Sequence, residues 1–238
     1  MINLEREGTI FVLTMDAGEN RWNTTFVRAF AAKLDEVMAS EGPAAMVTAS
    51  GDPKFFSNGL DVEWRRSDIP GEGGEQTLFR EEFFALMARL ITFPVPTVCA
   101  VNGHAFGAGL MLALCHDVRF MREDRGYLCA NEIQIGMAIP AAELALFRHK
   151  MSGSAFFDTV QLARRWTGPE AKAAGFVDDV ADHDSLLAKA MDRARQLAPL
   201  GADRDLYAGS KECIFGENPS INDPNGAAHL LRHRLDDG

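Results

Sequence analysis

The sequence contains few cysteines and no long run of apolar residues. Its 238 residues include four cysteines without C-x-x-C spacing, so we expect reduced, mostly buried thiols and no disulfide framework. The N-terminal segment MINLEREGTI carries charge where a secretory signal peptide is apolar, and no apolar run approaches the ~18 residues that cross a membrane. These features predict a cytoplasmic protein without a membrane-spanning segment.

Basic residues are also scarce. The chain has 24 lysines and arginines against 34 acidic residues, a formal net charge of -10, and the basic residues are scattered along it. Because such a surface repels a phosphate backbone, we expect no nucleic acid among its partners. Hydrophobic residues make up 47% of the chain, which is enough to form a full-sized core.

Residue periodicity predicts strands that alternate with helices, and therefore an α/β fold. Short apolar segments predict strands over residues 9–15, 44–49, 97–101, 118–121 and 127–129. Apolar residues at helical spacing predict helices over residues 27–38, 79–90, 110–114 and 184–197. We predict one catalytic core over residues 1–183 and, in the same fold unit, a helical C-terminal region over residues 184–238 that takes part in oligomerisation. The glycine-rich segment 67–76 predicts a flexible loop, suited to a lid.

The strongest local feature is a glycine-rich turn between a strand and an apolar helix, VNGHAFGAGLMLAL at residues 101–114. It is not a phosphate-binding P-loop, because Leu110 and Met111 stand where that loop needs lysine and serine or threonine. A dinucleotide-binding fingerprint needs a third glycine where Leu112 stands. Two interpretations stay open: a turn in which glycines only permit close packing, and an oxyanion site that uses N–H groups near Ala108.

A second turn lies in FFSNGLDV at residues 55–62, where Ser57, Asn58 and Gly59 suit an irregular backbone before the apolar Leu60. By itself this pattern is typical of a surface turn. Two such turns, each beside a buried strand, are able to aim one N–H group apiece at a single carbonyl oxygen. Stabilising an enolate requires that arrangement.

Among the acidic residues, Glu132 is distinctive because it follows a short apolar strand and precedes further apolar residues. It is either a structural carboxylate with a partner or a base whose pKa is raised by burial. Glu143 follows a proline and suits the first turn of a helix without any chemical role. Asp61 suits a turn or helix cap. His104 and His116 have no companion at nucleophile or metal-ligand spacing, so we expect hydrogen-bonded structural roles.

Three motifs, in this order, resemble the enoyl-CoA hydratase/isomerase family, also called crotonases: FFSNGLDV, VNGHAFGAGLMLALCHDVRF and, at residues 167–180, TGPEAKAAGFVDDV. The resemblance implies a spiral of β-β-α units with a helical C-terminal region, and subunits that assemble as trimers or pairs of trimers. It also implies a thioester carbonyl held between two backbone N–H groups. In this chain those groups belong to Leu60 and Ala108. Many members have glycine where Ala108 stands, but the N–H group survives the change.

The resemblance further implies which residues contact an acyl-CoA substrate. The candidates beside the two N–H groups are Ser57, Asn58, Gly59, Asp61 and Gly107. Arg21 lies in a turn where family members often hold the nucleotide end of CoA, and its guanidinium suits a phosphate; a solvated surface arginine is the alternative. No metal or separate cofactor is expected, because CoA is part of the substrate.

The choice of reaction depends on the carboxylates. Hydratases of this family typically use two glutamates, and the corresponding positions here are Met111 and Glu132. A methionine neither orients water nor carries a proton, so hydration is poorly supported. One carboxylate suffices to take a proton from C2 of a 3-enoyl-CoA and return it at C4, and the sequence looks closest to the short 3-enoyl to 2-enoyl-CoA isomerases. We therefore expect this isomerisation, with Glu132 as a single proton shuttle.

Two other functions stay open. One is hydration, or another enolate reaction on a different acyl-CoA, with Glu143 or a loop residue as the extra acid. The other is a binding or scaffold protein that has kept the fold without catalysis. The acidic charge argues against an RNA-binding version, and the retention of Glu132 beside two N–H turns argues against an inactive site.

Overall fold

The computed structural model describes residues 1–67, 75–216 and 227–233, which form two β-sheets surrounded by helices. The strands are β1 Ile2–Glu7, β2 Ile10–Met15, β3 Ala45–Ser50, β4 Phe55–Ser57, β5 Thr97–Val101, β6 His104–Phe106, β7 Val118–Arg122, β8 Leu128–Cys129 and β9 Asp179–Ala181. The helices are α1 Thr24–Met38, α2 Val62–Ser67, α3 Glu75–Ile91, α4 Ala108–Cys115, α5 Ala141–Lys150, α6 Gly153–Val160, α7 Gly168–Ala173, α8 His183–Leu197, α9 Arg204–Phe215 and α10 Ala227–His233. Two 3-10 helices span Glu132–Ile135 and Ala198–Gly201.

The larger sheet has the strand order β1-β2-β3-β5-β7-β9. Its first pair is antiparallel and the remaining pairs are parallel. The smaller sheet has the order β4-β6-β8, and both of its pairs are parallel. Strand β5 is buried at every residue, as expected for a parallel strand with helices on both faces of its sheet.

One arrangement of two strands and a helix occurs three times in succession along the chain. In each unit the first strand joins the larger sheet, the second joins the smaller sheet, and a helix follows: β3, β4 and α2; β5, β6 and α4; β7, β8 and α5. This is the spiral of β-β-α units that the motifs predict. Because the strands of the smaller sheet are parallel, the three turns that leave them lie side by side at one edge, the usual position of a ligand site in α/β proteins.

The core occupies both faces of the larger sheet. On one face, Val47 of β3 and Val98 of β5 pack in a cluster with α8. Helix α8 contributes Leu186, Ala190 and Ala194 to this cluster, at a spacing of four residues that places them on one side of the helix. The opposite face carries the larger cluster, which includes buried side chains of α1, α3 and α4.

The sequence predictions of secondary structure hold for the longer elements. The predicted strand 97–101 matches β5, and the predicted helix 184–197 matches α8 to within one residue. Strands β4 and β6 lie in segments that the sequence analysis interpreted as turns. The sequence analysis did not predict strand β1. Residues 68–74 of the predicted lid lie outside the described residues, while Ser67 ends α2 and Glu75 begins α3.

The cysteines have the predicted state. All four are free, and three of them, Cys99, Cys115 and Cys129, are buried. Within the described ranges, no helix combines the length and the apolar composition needed to cross a bilayer.

A buried histidine joins α4 to the larger sheet. His116 Nδ1 lies 2.8 Å from the Leu112 carbonyl oxygen, which can only accept, so this nitrogen carries the proton. Its Nε2 lies 2.8 Å from Thr48 Oγ1 on β3. Burial lowers the pKa of His116 from 6.5 to about 4. The hydrogen-bonded structural role predicted for His116 is confirmed.

We predict that acid destabilises the fold partly through His116. The unfolded chain takes up a proton at this residue near pH 6.5 and the folded chain only near pH 4, so the stabilisation is present above pH 6.5 and is lost as the pH falls through about 4. The expected loss is on the order of 3 kcal/mol in the free energy of unfolding. Urea unfolding at several pH values measures it. His116→Asn should show a smaller decrease over the same range; an equal decrease in both proteins contradicts the prediction.

Candidate active site

The edge of the smaller sheet brings three segments of the chain together. Leu60 follows β4, Ala108 begins α4 shortly after β6, and Glu132 begins a 3-10 helix after β8. The Gly107 N–H donates to the Cys129 carbonyl at 2.9 Å, which ties the second turn to the third. The sheet therefore places three residues that are far apart in sequence at one site.

Backbone contacts hold the first turn against the second. The Trp22 N–H donates to the Gly59 carbonyl at 2.8 Å, and the Asp61 N–H donates to the Trp22 carbonyl at 2.9 Å, so the chain is fixed on both sides of Leu60. Gly59 has a φ of 75°, and a β-carbon there would lie 2.7 Å from the Phe106 carbonyl oxygen. Only glycine fits this conformation and this close approach.

A cavity of about 610 Å³ opens at this edge. Its polar or charged side chains are those of Arg65, Arg80, Glu132 and Glu143. Its remaining lining is apolar and comes from Leu60, Trp64, Phe79, Phe83, Phe84, Ala108, Met111, Met137, Ala138 and Pro140. The volume and the apolar lining suit a small-molecule site with a few polar groups. The periodicity predicted Phe79 and Phe83 as one face of a helix, but not as the wall of a cavity.

Two N–H groups at this cavity have no partner in the described part of the chain. Within the described residues, the backbone N–H groups of Leu60 and Ala108 donate to no acceptor. Ala108 is the first residue of α4, so the helix dipole adds partial positive charge at its N–H group. Both residues line the cavity. A negatively charged oxygen between them would be stabilised by both hydrogen bonds.

The carboxyl group of Glu132 lies beside Gly107 in the same cavity. Its Oε1 is 2.6 Å from the position that a β-carbon on Gly107 would take. Its Oε2 is buried without a hydrogen-bond partner in the described part of the chain, and burial raises the pKa of Glu132. A structural carboxylate needs hydrogen-bond donors. Of the two interpretations that the sequence left open, a base has the stronger physical support.

Glu143 gives the cavity a second carboxyl group, which the sequence analysis considered only as the extra acid of the alternative reactions. Glu143 lies in the first turn of α5, as predicted, but only 6% of its surface is exposed. Its Oε1 is buried and has no hydrogen-bond partner among the described residues. Burial and the charge of Glu132 raise the pKa of Glu143 well above its ordinary value. No pattern in the sequence predicts the burial of Glu143, because this burial depends on where α5 packs.

The side chains of Ser57 and Asp61 support the first turn. The Ser57 hydroxyl donates to the Asn20 carbonyl at 2.7 Å and accepts from Trp22 Nε1 at 3.1 Å. Asp61 accepts from the Trp64 N–H at 3.0 Å and so caps α2, which confirms its predicted capping role. Both side chains hold the backbone beside Leu60 and lie outside the lining of the cavity.

Asn58 and Arg21 meet at one acidic residue. The Asn58 amide donates to the Glu19 carboxylate at 2.8 Å, and the Arg21 guanidinium forms an ion pair with the same carboxylate at 2.6 Å. Arg21 remains partly exposed. Of the predicted site residues, the structure therefore brings Leu60, Ala108 and Glu132 together at the cavity; the others shape the turns or lie beside them.

A family model for enoyl-CoA hydratase/isomerase matches residues 5–206. The chain belongs to the enoyl-CoA hydratase/isomerase family. It is therefore an enzyme of the crotonase superfamily, with isomerase-type or hydratase-type chemistry. The predicted family and fold class are confirmed.

Named relatives and a solved structure agree with this assignment. The chain is 33% identical to enoyl-CoA delta isomerase 3 of Arabidopsis thaliana over 99% of this chain and 100% of the relative. It is 32% identical to the peroxisomal enoyl-CoA delta isomerase 2 of the same plant, over 91% of this chain and 93% of the relative. The crystal structure of a probable enoyl-CoA hydratase from Mycobacterium tuberculosis H37Rv is similar at a TM-score of 0.83 and 28% identity, over 97% of this chain and 91% of that one.

Gly107→Ala should impair turnover of enoyl-CoA substrates. Gly107 has a φ of 48°, and its added β-carbon would lie 2.6 Å from Glu132 Oε1, so the carboxyl group must move. A displacement of about 1 Å at a reacting group can cost on the order of 10²-fold in rate. Gly175→Ala is the matched control, because its φ is 84° but no atom lies within 4 Å of the new β-carbon. Steady-state kinetics of both variants check the prediction; equal losses contradict it.

Glu143→Gln should stabilise the protein at neutral and alkaline pH. An acid whose pKa is higher in the folded state contributes full stability below its unfolded pKa of 4.5, and this stability is lost as the pH rises toward the folded pKa. The gain in Tm of Glu143→Gln over wild type should therefore be larger at about pH 8 than at about pH 5. Calorimetry measures it, with the exposed Glu123→Gln as control. A gain that does not change with pH contradicts the prediction.

Proposed function

We propose that this protein isomerises a 3-enoyl-CoA to the conjugated 2-enoyl-CoA. The observation that carries the proposal is the position of Glu132 in a largely apolar cavity that Leu60 and Ala108 also line, where the N–H groups of these two residues have no acceptor among the described residues. An acyl-CoA substrate would place its thioester oxygen between the N–H groups of Leu60 and Ala108. Each such donor typically contributes ~10²–10³ in rate.

The reaction is a transfer of one proton between two carbon atoms of the substrate. Glu132, as a carboxylate, takes a proton from C2, and the electron pair moves into an enolate whose oxygen the N–H groups of Leu60 and Ala108 stabilise. In the simplest scheme the same carboxyl group returns the proton at C4. The double bond then lies between C2 and C3, in conjugation with the carbonyl. The raised pKa of Glu132 suits a group that gains and gives up a proton.

Met111 argues for isomerisation over hydration. Its side chain is buried and lines the cavity at the position where the family resemblance puts a hydratase's first glutamate. A thioether neither orients a water molecule nor accepts its proton. An apolar wall there also favours the exclusion of water from the enolate.

Glu132→Gln should reduce isomerisation of a 3-enoyl-CoA by about 10²–10⁴-fold, the usual contribution of a general acid–base group. Glutamine retains the size of the side chain but cannot take the C2 proton. Formation of the conjugated thioester is followed by its ultraviolet absorbance, with Glu123→Gln as the control because that side chain is exposed.

Three results would contradict the proposal. Full activity in Glu132→Gln removes Glu132 from the mechanism. Wild-type enzyme that adds water to crotonyl-CoA but does not isomerise a 3-enoyl-CoA is a hydratase. Wild-type protein that binds an acyl-CoA thioester and turns over no enoyl substrate is a binding protein.

A further inference from the structure

We propose that Glu143 is a second catalytic carboxyl group, which donates the proton taken up at C4 after Glu132 has removed a proton from C2. The inference rests on the proposed isomerisation and replaces the return of the proton by Glu132 with a separate donor. It follows from the position and burial of the Glu143 side chain and from its Oε1 atom, which has no hydrogen-bond partner among the described residues.

The two carboxyl groups reach one cavity from different elements. Glu132 comes from the 3-10 helix after β8, and Glu143 comes from the first turn of α5. Apart from Gly107 and the residues on either side of it, the described residues place only atoms of Glu132 within 4 Å of the position of a Gly107 β-carbon. Glu132 therefore lies beside Gly107, the residue before Ala108, and the proposal places C2 of the substrate next to it. Glu143 lines the same cavity from α5, and the proposal places C4 of the acyl group next to it.

A helix-capping hydrogen bond does not account for Glu143. An acidic residue at this helix position usually bonds back to the N-cap N–H group, but the N-cap of α5 is Pro140, which has none. In the described residues, Glu143 Oε1 has no hydrogen-bond partner and the side chain forms no ion pair. A buried polar group without a partner destabilises the folded protein. Glu143 also lines the cavity, so a bound substrate would lie beside this residue.

The surroundings of the two carboxyl groups favour the protonated form more strongly at Glu143 than at Glu132. The charged side chains that line it are Arg65 on α2, Arg80 on α3, Glu132 and Glu143. Glu143 is the more deeply buried of the two carboxyl groups, and the negative charge of Glu132 further disfavours its ionisation. The proposal therefore assigns the role of base to Glu132 and the role of acid to Glu143. One base and one acid are what a proton transfer between two carbons uses.

The proposed sequence of steps balances without any co-reactant. Glu132 takes the C2 proton, and the C–H electron pair becomes part of the dienolate. The dienolate then forms a C4–H bond with the proton of Glu143, whose O–H electron pair stays on the carboxylate. Transfer of the proton from Glu132 to Glu143, directly or through water, restores the starting state. The net change is the position of one double bond.

Glu143→Gln and a deuterium label test this proposal together. A 3-enoyl-CoA carrying deuterium at C2 is converted in ordinary water under single-turnover conditions, and mass spectrometry locates the label in the product. In wild type we expect protium at C4, supplied by Glu143. In Glu143→Gln we expect kcat to fall by about 10²-fold or more, with little change in KM, and the residual product to carry more deuterium at C4 because only Glu132 remains. Glu123→Gln should behave as wild type.

The outcomes separate this inference from the proposed function. If Glu143→Gln keeps kcat within about threefold of wild type, Glu143 is no proton donor, since a general acid contributes far more. If kcat falls but the label distribution equals that of wild type, Glu143 acts only by supporting the site, and the proposal is overturned. Circular dichroism and Tm show that the variant is folded. A wild-type enzyme without isomerase activity refutes the proposed function itself.

Discussion

The contact between two backbone turns at the end of the smaller sheet determines the whole site. Gly59 packs against the Phe106 carbonyl so closely that no side chain fits between them. This approach places Leu60 and Ala108 at one cavity, each with an N–H group that donates to no acceptor in the described chain. Two donors fixed in a folded backbone need no reorganisation when charge develops on a substrate oxygen.

The cavity also shows a conflict between stability and chemistry. Most of its lining is apolar, yet it contains two carboxyl groups whose buried oxygens have no partner among the described residues. The large apolar clusters on both faces of the larger sheet supply the stability that such groups reduce. The same burial that destabilises Glu132 and Glu143 in their charged forms raises their pKa values toward those useful in proton transfer.

Sequence reasoning succeeded where a pattern is local. Strand β5 and helix α8 are long apolar or amphipathic segments, so periodicity located them. Strands β4 and β6 have three residues each, too few for a period to appear, and their pairing depends on distant segments. The family motifs predicted that Leu60, Ala108 and Glu132 belong to one site. The burial of Glu143 could not be predicted, because it depends on how α5 packs against the rest of the molecule.

The hydrogen bonds that fix Leu60 have a consequence for folding. They join the turn after β4 to Trp22, while the turn after β6 is tied to β8, so every part of the site depends on pairing between distant segments. Such pairing is slow to form, because the entropy of closing long loops is lost before the contacts are gained. A chain that has formed its helices but not this small sheet has no aligned donors. The onset of activity during refolding therefore reports the completion of the native topology, rather than the appearance of secondary structure.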